Sequence, residues 1–206
     1  GGSPDPPETF RMPDFADALA RFVESHELGP VHVAGLSWGG ALALELYRRH
    51  TRLVRSLTLV SAYAGWAGSL PAEEVDRRLR QVLDLADLPP EEFVGAVAPT
   101  MFTDAAPAET VDPFVASMMR FRPAGLRAMA HAVAEADLRD VLPTVAVPTL
   151  LLYGEKDVRA PRDVAEAIHA GIPGSRLVFL SGAGHICNVE AADAFNAELR
   201  AFLQAA

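Results

Sequence analysis

The apolar residues of this chain form two patterns. In some segments they follow one another in short uninterrupted runs, and in others they recur at every third or fourth position. Short runs predict strands buried on both faces of a parallel sheet. Four such runs occur, at 31–35, 56–62, 149–153 and 177–180. The helical spacing starts at Met12 and returns at 38–50, 161–170 and 190–203. Strands and helices that alternate with tight connections predict an α/β fold, a parallel sheet flanked by helices.

Between Tyr63 and Asp137 the alternation stops. The stretch contains no predicted strand, and its apolar spacing predicts helices separated by proline-rich joints, at about 72–87, 90–98, 110–120 and 124–136. One helix would suffice to connect two parallel strands. The presence of four predicted helices therefore favours an inserted helical unit over a simple crossover connection. The predicted organisation is a first core part over 1–62, a helical cap over 63–137 and a second core part over 138–206.

Composition and charge narrow the class of protein. The 206 residues are 50% hydrophobic and 22% charged, which excludes a disordered chain. Eighteen Lys and Arg against 27 Asp and Glu give a net charge of −9, so the basic footprint of a nucleic-acid binder is missing. No apolar run approaches the roughly 18 residues that span a bilayer, and no signal peptide opens the sequence. With Cys187 as the single cysteine, a disulfide framework is excluded. We expect a cytoplasmic protein that binds neither nucleic acid nor membrane.

The strongest chemical signal is the segment GLSWGG at 35–40, which lies between a predicted strand and a predicted helix. A serine in such a sharp turn projects its hydroxyl above the end of the strand, as a nucleophile requires. Gly35 and Gly39 are expected to leave the space that a Cβ would fill. Ser37 is therefore the predicted nucleophile, and the backbone N–H of Trp38 is a predicted donor to the oxyanion of a tetrahedral intermediate.

Two more polar groups follow predicted strands. Asp157 stands in the loop YGEKD and His185 in the loop SGAGH. The carboxyl ends of parallel strands meet at one edge of a sheet, so both side chains are expected near Ser37 as orienting acid and general base. Glu155 is the nearest alternative acid, and Asp157 could instead serve the turn before the next helix. Glu190 is expected to cap the last helix or to hold the His185 loop.

The sequence lacks the motifs of phosphate-binding, dinucleotide-binding and zinc-dependent enzymes. The sequence contains no glycine-rich phosphate loop, no dinucleotide fingerprint and no HExxH pair. A single cysteine cannot build a multi-thiolate zinc site. We therefore predict that no cofactor and no metal ion takes part.

These motifs resemble those of the α/β-hydrolase superfamily over essentially the whole chain. GLSWGG resembles its nucleophile elbow, LLYGEKDVRAP its acid loop and GAGHICNVE its histidine loop, and 63–137 corresponds to its helical cap. The resemblance implies Ser37 as nucleophile, Asp157 as acid and His185 as base. The segments 185–190 and 135–138 are similar to the 3-oxoadipate enol-lactonase group. Serine at the elbow argues against epoxide hydrolases and haloalkane dehalogenases.

The start of the chain departs from the family pattern. Family members carry several strands, and the loop that donates the second oxyanion N–H, before the helix that begins here near Met12. The opening GGSP resembles the end of their Gly-His-Gly-x-Ser turn, or a cloning remnant. We therefore expect the N-terminal part of the sheet to be missing. Loss of one oxyanion donor would slow the reaction on the order of 100- to 1,000-fold. The strand at 31–35 would be an open edge that favours self-association.

The sequence thus predicts a serine hydrolase that cleaves a small carboxylic ester or lactone through an acyl-enzyme. The same triad could serve a cofactor-free haloperoxidase or perhydrolase, or a C–C bond hydrolase. A non-catalytic ligand-binding protein of the same fold is the alternative from another class.

Overall fold

Four parallel strands form the centre of the molecule. The computed structural model describes residues 4–206, and its sheet has the order β1-β2-β3-β4, with every neighbouring pair parallel. The strands are β1 (Val31–Leu36), β2 (Val54–Val60), β3 (Thr149–Gly154) and β4 (Arg176–Leu180). The predicted fold class, a parallel sheet flanked by helices, is confirmed. Most of the opening turn GGSP lies outside the described residues.

Nine helices surround the sheet in this described part of the chain. They are α1 (Met12–Ser25), α2 (Trp38–His50), α3 (Ala72–Leu85), α4 (Pro90–Val97), α5 (Ala108–Met118), α6 (Pro123–Glu135), α7 (Arg162–Gly171), α8 (Cys187–Glu190) and α9 (Ala192–Ala205). Eight of them lie close to predicted ranges, whereas the short helix α8 was not predicted. The last helix begins at Ala192, two residues later than predicted, because Ala191 leaves helical geometry at φ −121° and ψ 47°. β2 starts two residues earlier than predicted, since Val54 already pairs with Val31.

The two central strands carry the core, and their alternate side chains face two different layers. Leu57 and Leu151 pack in the larger cluster with residues of α1, α2 and α7. Leu150 and Leu152 face the opposite side, where Phe195 of α9 completes a smaller cluster. All six residues of β3 are buried, as its uninterrupted apolar sequence predicts.

β1 is the first strand of the sheet and is less enclosed. Its side chains alternate, and His32 and Ala34 are exposed while their neighbours are at least partly covered. Such alternation is typical of a strand with one face against the core and the other toward solvent.

The intervening helices α3–α6 connect β2 to β3 and have an apolar cluster of their own. Phe93, Val94 and Val97 of α4 are buried there, and the ring of Phe93 stacks on Phe121 at 4.1 Å between centroids. Among the helices of residues 4–206, none combines the length and the apolar character needed to cross a bilayer.

α2 contains a buried carboxyl group. Glu45 is only 2% exposed, and its nearest cation, Nη1 of Arg48, lies 3.4 Å from Oε2. Burial raises the pKa of Glu45 above its ordinary value of 4.5, although Arg48 and Arg49 oppose the shift. The folded state therefore holds the proton more tightly than the unfolded state does.

We predict that Glu45→Gln stabilises the protein at neutral pH. A carboxyl group with a raised folded-state pKa supports the fold fully below its unfolded pKa, and this support is lost as pH rises through the folded pKa. The variant should therefore melt at a higher temperature than the parent at pH 7, and the gap should close near pH 4. Thermal unfolding followed by circular dichroism measures both. An equal gap at the two pH values would contradict the assignment.

Candidate active site

Ser37 lies in a strained turn between β1 and α2. Its backbone has φ 53° and ψ −112°, in a region that residues other than glycine rarely adopt. Two features keep it there. The Ser37 N–H donates to the carbonyl of Val60 at 2.8 Å, which ties the turn to the end of β2. A Cβ at position 35 would overlap the carbonyl of Gly39, so Gly35 allows the chain to turn back on itself.

The second glycine that the turn requires is not the predicted one. A Cβ on Gly39 would meet nothing within 4 Å, so the expectation that Gly39 relieves a clash is wrong. Gly40 does so, because a Cβ there would overlap the Cβ of Ala62 after β2. The reason is that α2 packs tightly against the end of the neighbouring strand, and the first turn of α2 directs position 40 toward it.

Asp157 and His185 form a buried pair in the loops after β3 and β4. Nδ1 of His185 lies 2.9 Å from Oδ2 and 3.1 Å from Oδ1 of Asp157, and both side chains are 1% exposed. Asp157 Oδ1 also accepts the backbone N–H groups of Arg159 and Ala160 at 2.8 and 2.9 Å. Burial acts to raise the pKa of Asp157, but these hydrogen bonds, led by His185, hold it below its ordinary value.

Glu155, the alternative acid, faces a different partner. Its Oε2 accepts the hydroxyl of Ser181 at 3.0 Å and the N–H of Gly182 at 3.1 Å, at the exposed surface. It therefore ties the β3 loop to the β4 loop without reaching His185. The structure brings Asp157, and not Glu155, to the histidine.

Glu190 joins the histidine loop to the intervening helices. Oε2 accepts the N–H of Gly184 at 2.7 Å, beside His185. Oε1 accepts both the N–H and the hydroxyl of Thr103, at 2.8 and 2.7 Å, from the segment between α4 and α5. Holding the His185 loop, one of the two roles expected of Glu190, is thus the observed one. Thr103 was not anticipated, since nothing local in its sequence indicates a contact with a residue 87 positions away.

The structure places Ser37 at the same sheet edge as the acid–histidine pair but does not bond it to them. No hydrogen bond between described residues joins Ser37 Oγ to His185. Trp38 is the first residue of α2, so its N–H has no acceptor within the helix. Its indole N–H donates to the carbonyl of Met129 in α6 at 2.9 Å.

Two cavities lie between the intervening helices and the loops of the sheet. The first, the His185 cavity, has a volume of about 340 Å³ and is lined by His185, Lys156, Val158 and much of 99–105. The second, of about 310 Å³, lies among α3, α4 and the residues that follow Asp157. Both share Thr100 and Val158 in their walls. Neither has Ser37 or Trp38 in its lining.

Comparison with known proteins gives consistent matches over almost the whole chain. Residues 1–198 match the sequence model of a family described as the alpha/beta hydrolase family. A pimeloyl-acyl-carrier-protein methyl ester esterase of Neisseria meningitidis serogroup C is 29% identical over an alignment of 214 positions, which covers 96% of this chain and 77% of the relative.

Two solved structures share the fold. A thermophilic esterase from Thermogutta terrifontis has a TM-score of 0.88 and 27% identity, covering 99% of this chain and 76% of its own. The enol-lactonase from Burkholderia xenovorans has a TM-score of 0.77 and 25% identity, covering 99% and 77%.

The contrast between two glycines of the turn gives a test of this geometry. Gly35→Ala forces a Cβ into a backbone carbonyl, and such overpacking costs about 1–3 kcal/mol of stability. Gly39→Ala places its methyl in open space at the start of a helix, where alanine is favoured. We expect a lowered denaturant midpoint for Gly35→Ala and an unchanged or raised one for Gly39→Ala. Equal destabilisation of both variants would show that the turn is packed differently.

Proposed function

This chain belongs to the alpha/beta hydrolase family and is a hydrolase, and we propose that it is a serine hydrolase that cleaves a small carboxylic ester or lactone. The observation that carries the proposal is the buried His185–Asp157 pair at the sheet edge where the strained turn presents Ser37. A serine hydroxyl needs a base, and the base needs a group that fixes its orientation. The three side chains supply these parts.

The geometry of the pair supports a separate role for each nitrogen of His185. When Nδ1–H donates to the Asp157 carboxylate, Nε2 carries the lone pair and can accept a proton. The lowered pKa of Asp157 keeps its carboxylate ionised at neutral pH, where it stabilises the imidazolium that forms during the reaction.

In the proposed reaction, Ser37 Oγ bonds to the substrate carbonyl carbon while its proton passes to Nε2 of His185. The carbonyl oxygen becomes an oxyanion, toward which the Trp38 N–H donates from the start of α2. The tetrahedral intermediate then breaks its bond to the leaving oxygen, which takes the proton from His185. A water molecule then attacks the carbonyl carbon of the acyl-enzyme while its proton passes to His185. The second tetrahedral intermediate releases the carboxylic acid, and His185 returns the proton to Ser37 Oγ.

The names of several relatives support an ester or a lactone as the substrate. One matched protein is by name a methyl ester esterase, one solved structure is an esterase and another is an enol-lactonase. Cavities of about 310 and 340 Å³ lie at the small end of the range for ligand sites, which suits a small acyl or alcohol group.

A fluorophosphonate probe, which labels activated serines covalently, tests the nucleophile. We expect labelling of the parent protein and none of Ser37→Ala. Asp157→Asn should still be labelled, but roughly 10³- to 10⁴-fold more slowly, because the tautomer of His185 is no longer fixed. Intact-protein mass spectrometry over time gives the rates.

Ser61→Ala is the matched control. Ser61 also follows a strand at positive φ, and its hydroxyl is buried, but it stands at the end of β2 outside the proposed triad. It should be labelled as fast as the parent. Labelling of Ser37→Ala at the parent rate would overturn the assignment of the nucleophile.

A further inference from the structure

Two backbone N–H groups hold the carboxylate of the candidate acid. Asp157 Oδ1 accepts the N–H of Arg159 at 2.8 Å and the N–H of Ala160 at 2.9 Å, while Oδ2 lies 2.9 Å from Nδ1 of His185. The direction of the carboxylate therefore depends on the position of the segment that follows it. Groups that fix the peptide unit between residues 159 and 160 also fix one of these two donors.

Two side chains from outside the acid loop bind the carbonyl of that peptide unit. The hydroxyl of Tyr63 donates to the carbonyl oxygen of Arg159, and Nη1 of Arg78 donates to the same oxygen at 3.1 Å. Nη1 of Arg78 also donates to the Tyr63 hydroxyl at 2.9 Å. A carbonyl oxygen has two lone pairs, so these two donors occupy its hydrogen-bonding capacity.

The carbonyl of Arg159 and the N–H of Ala160 belong to one rigid unit. No peptide bond among residues 4–206 is cis, and the C=O and N–H of a planar trans peptide point in opposite directions. Tyr63 and Arg78 thus hold one side of this unit, and its other side donates to Asp157. Hydrogen bonds to the carbonyl also polarise the N–H of the same peptide, which strengthens its donation to the carboxylate.

Tyr63 is itself firmly placed. It stands three residues after the end of β2, at the sheet edge that carries the candidate site, and it is only 2% exposed. The carbonyl of Ala62, immediately before it, accepts the hydroxyl of Tyr153 in β3 at 2.8 Å. Burial raises the pKa of Tyr63 above its ordinary value of 10, so the hydroxyl keeps its proton at neutral pH and remains a donor.

Arg78 is oriented by a carboxylate of its own helix. Oε1 of Glu74, one turn earlier in α3, lies 2.6 Å from Nε of Arg78. The guanidinium carbon lies 5.8 Å from the centre of the Tyr63 ring, within the range of a cation–π attraction. The acid loop is therefore bound to one of the intervening helices as well as to the end of β2.

The other two tyrosines of the chain donate to carbonyls in different places. Tyr47 donates to Thr144 at 3.2 Å, before β3 begins, and Tyr153 donates to Ala62. Of the three carbonyls that accept a tyrosine hydroxyl, only that of Arg159 shares its peptide unit with a donor to the candidate acid. The hydrogen bond of Tyr63 is thus the one that bears on the acid directly.

We propose that Tyr63 and Arg78 are positioning residues of the candidate triad, which hold the carbonyl of Arg159 and thereby orient the Asp157 carboxylate toward His185. The inference rests on the proposed function, because it assigns further residues to the same site. Neither side chain takes part in bond cleavage. Their effect on the reaction passes through the peptide unit between residues 159 and 160.

Tyr63→Phe tests the proposal, since it removes one hydroxyl and keeps the ring. With 4-nitrophenyl acetate as the substrate, we expect kcat to fall about 3- to 10-fold, as the loss of one hydrogen bond implies. KM should stay within about twofold, because neither cavity has Tyr63 in its lining. Arg78→Met removes the other donor and should lower kcat by a similar factor. It decides the matter if Tyr63→Phe does not fold, as judged by circular dichroism.

Two control variants separate positioning from stability and from charge. Tyr47→Phe also removes the hydroxyl of a buried tyrosine from a backbone carbonyl, so it should lower the melting temperature about as Tyr63→Phe does but leave kcat unchanged. Arg80→Met removes a charge from an exposed position of α3 and should also leave kcat unchanged. A parent-like kcat in Tyr63→Phe, or in Arg78→Met if that is the folded variant, would overturn the proposal and leave the hydrolase function intact. Equal losses of kcat in Tyr63→Phe and Tyr47→Phe would overturn it as well.

Proton NMR distinguishes failure of this proposal from failure of the proposed function. We expect the Nδ1 proton of His185, bonded to Asp157, to give a strongly deshielded resonance that is absent in Asp157→Asn. It should broaden in Tyr63→Phe, because a less firmly held carboxylate lets the proton exchange faster with water, and stay sharp in Tyr47→Phe. If no ester is cleaved in a Ser37-dependent way, the hydrolase mechanism is wrong and this resonance alone decides the positioning role. An unchanged line width in Tyr63→Phe, or a parent spectrum without an Asp157-dependent resonance, overturns it.

Discussion

All three pairs of neighbouring strands, β1–β2, β2–β3 and β3–β4, are parallel, and this common direction determines where the candidate catalytic residues lie. Parallel strands end at the same edge of a sheet, so the loops that follow them are neighbours even when they are far apart in the sequence. Ser37 and His185 are separated by almost 150 positions along the chain. The sheet brings both to one edge without any direct bond between them.

Different anchors hold the two halves of the site. The acid and histidine loops are bound to each other, since the N–H of Glu155 donates to Leu180 and that of Lys156 to Ala183, both at 2.9 Å. Together with the Asp157–His185 pair, these bonds make the two loops one unit. The serine turn is attached to the end of β2 instead. The hydrogen bonds between these two loops thus determine the distances within the acid–histidine pair. The distance from Ser37 to that pair depends instead on how β2 packs against β3.

Much of this arrangement could be predicted from the sequence, because buried strands and amphipathic helices leave distinct apolar spacings. The same spacing predicted that Asp157 and His185 would meet, since each follows a strand of one parallel sheet. Contacts that depend on tertiary packing could not be predicted. The motif predicts Gly39 and not Gly40 as a glycine that leaves space, because the order of the glycines does not indicate which side of the turn another strand covers. The hydrogen bonds between Glu190 and Thr103 depend on where the intervening helices lie, which no local sequence pattern indicates.

The two hydrogen bonds from Thr103 to Glu190 connect the intervening helices to the candidate active site. Segment 99–105 forms much of the wall of the His185 cavity, and Glu190 binds it to the backbone next to the histidine. Displacing the segment to admit a bulky molecule breaks two charge-assisted hydrogen bonds and leaves the histidine loop with fewer restraints. The position of segment 99–105 and the orientation of His185, the proposed base, are therefore linked through Glu190.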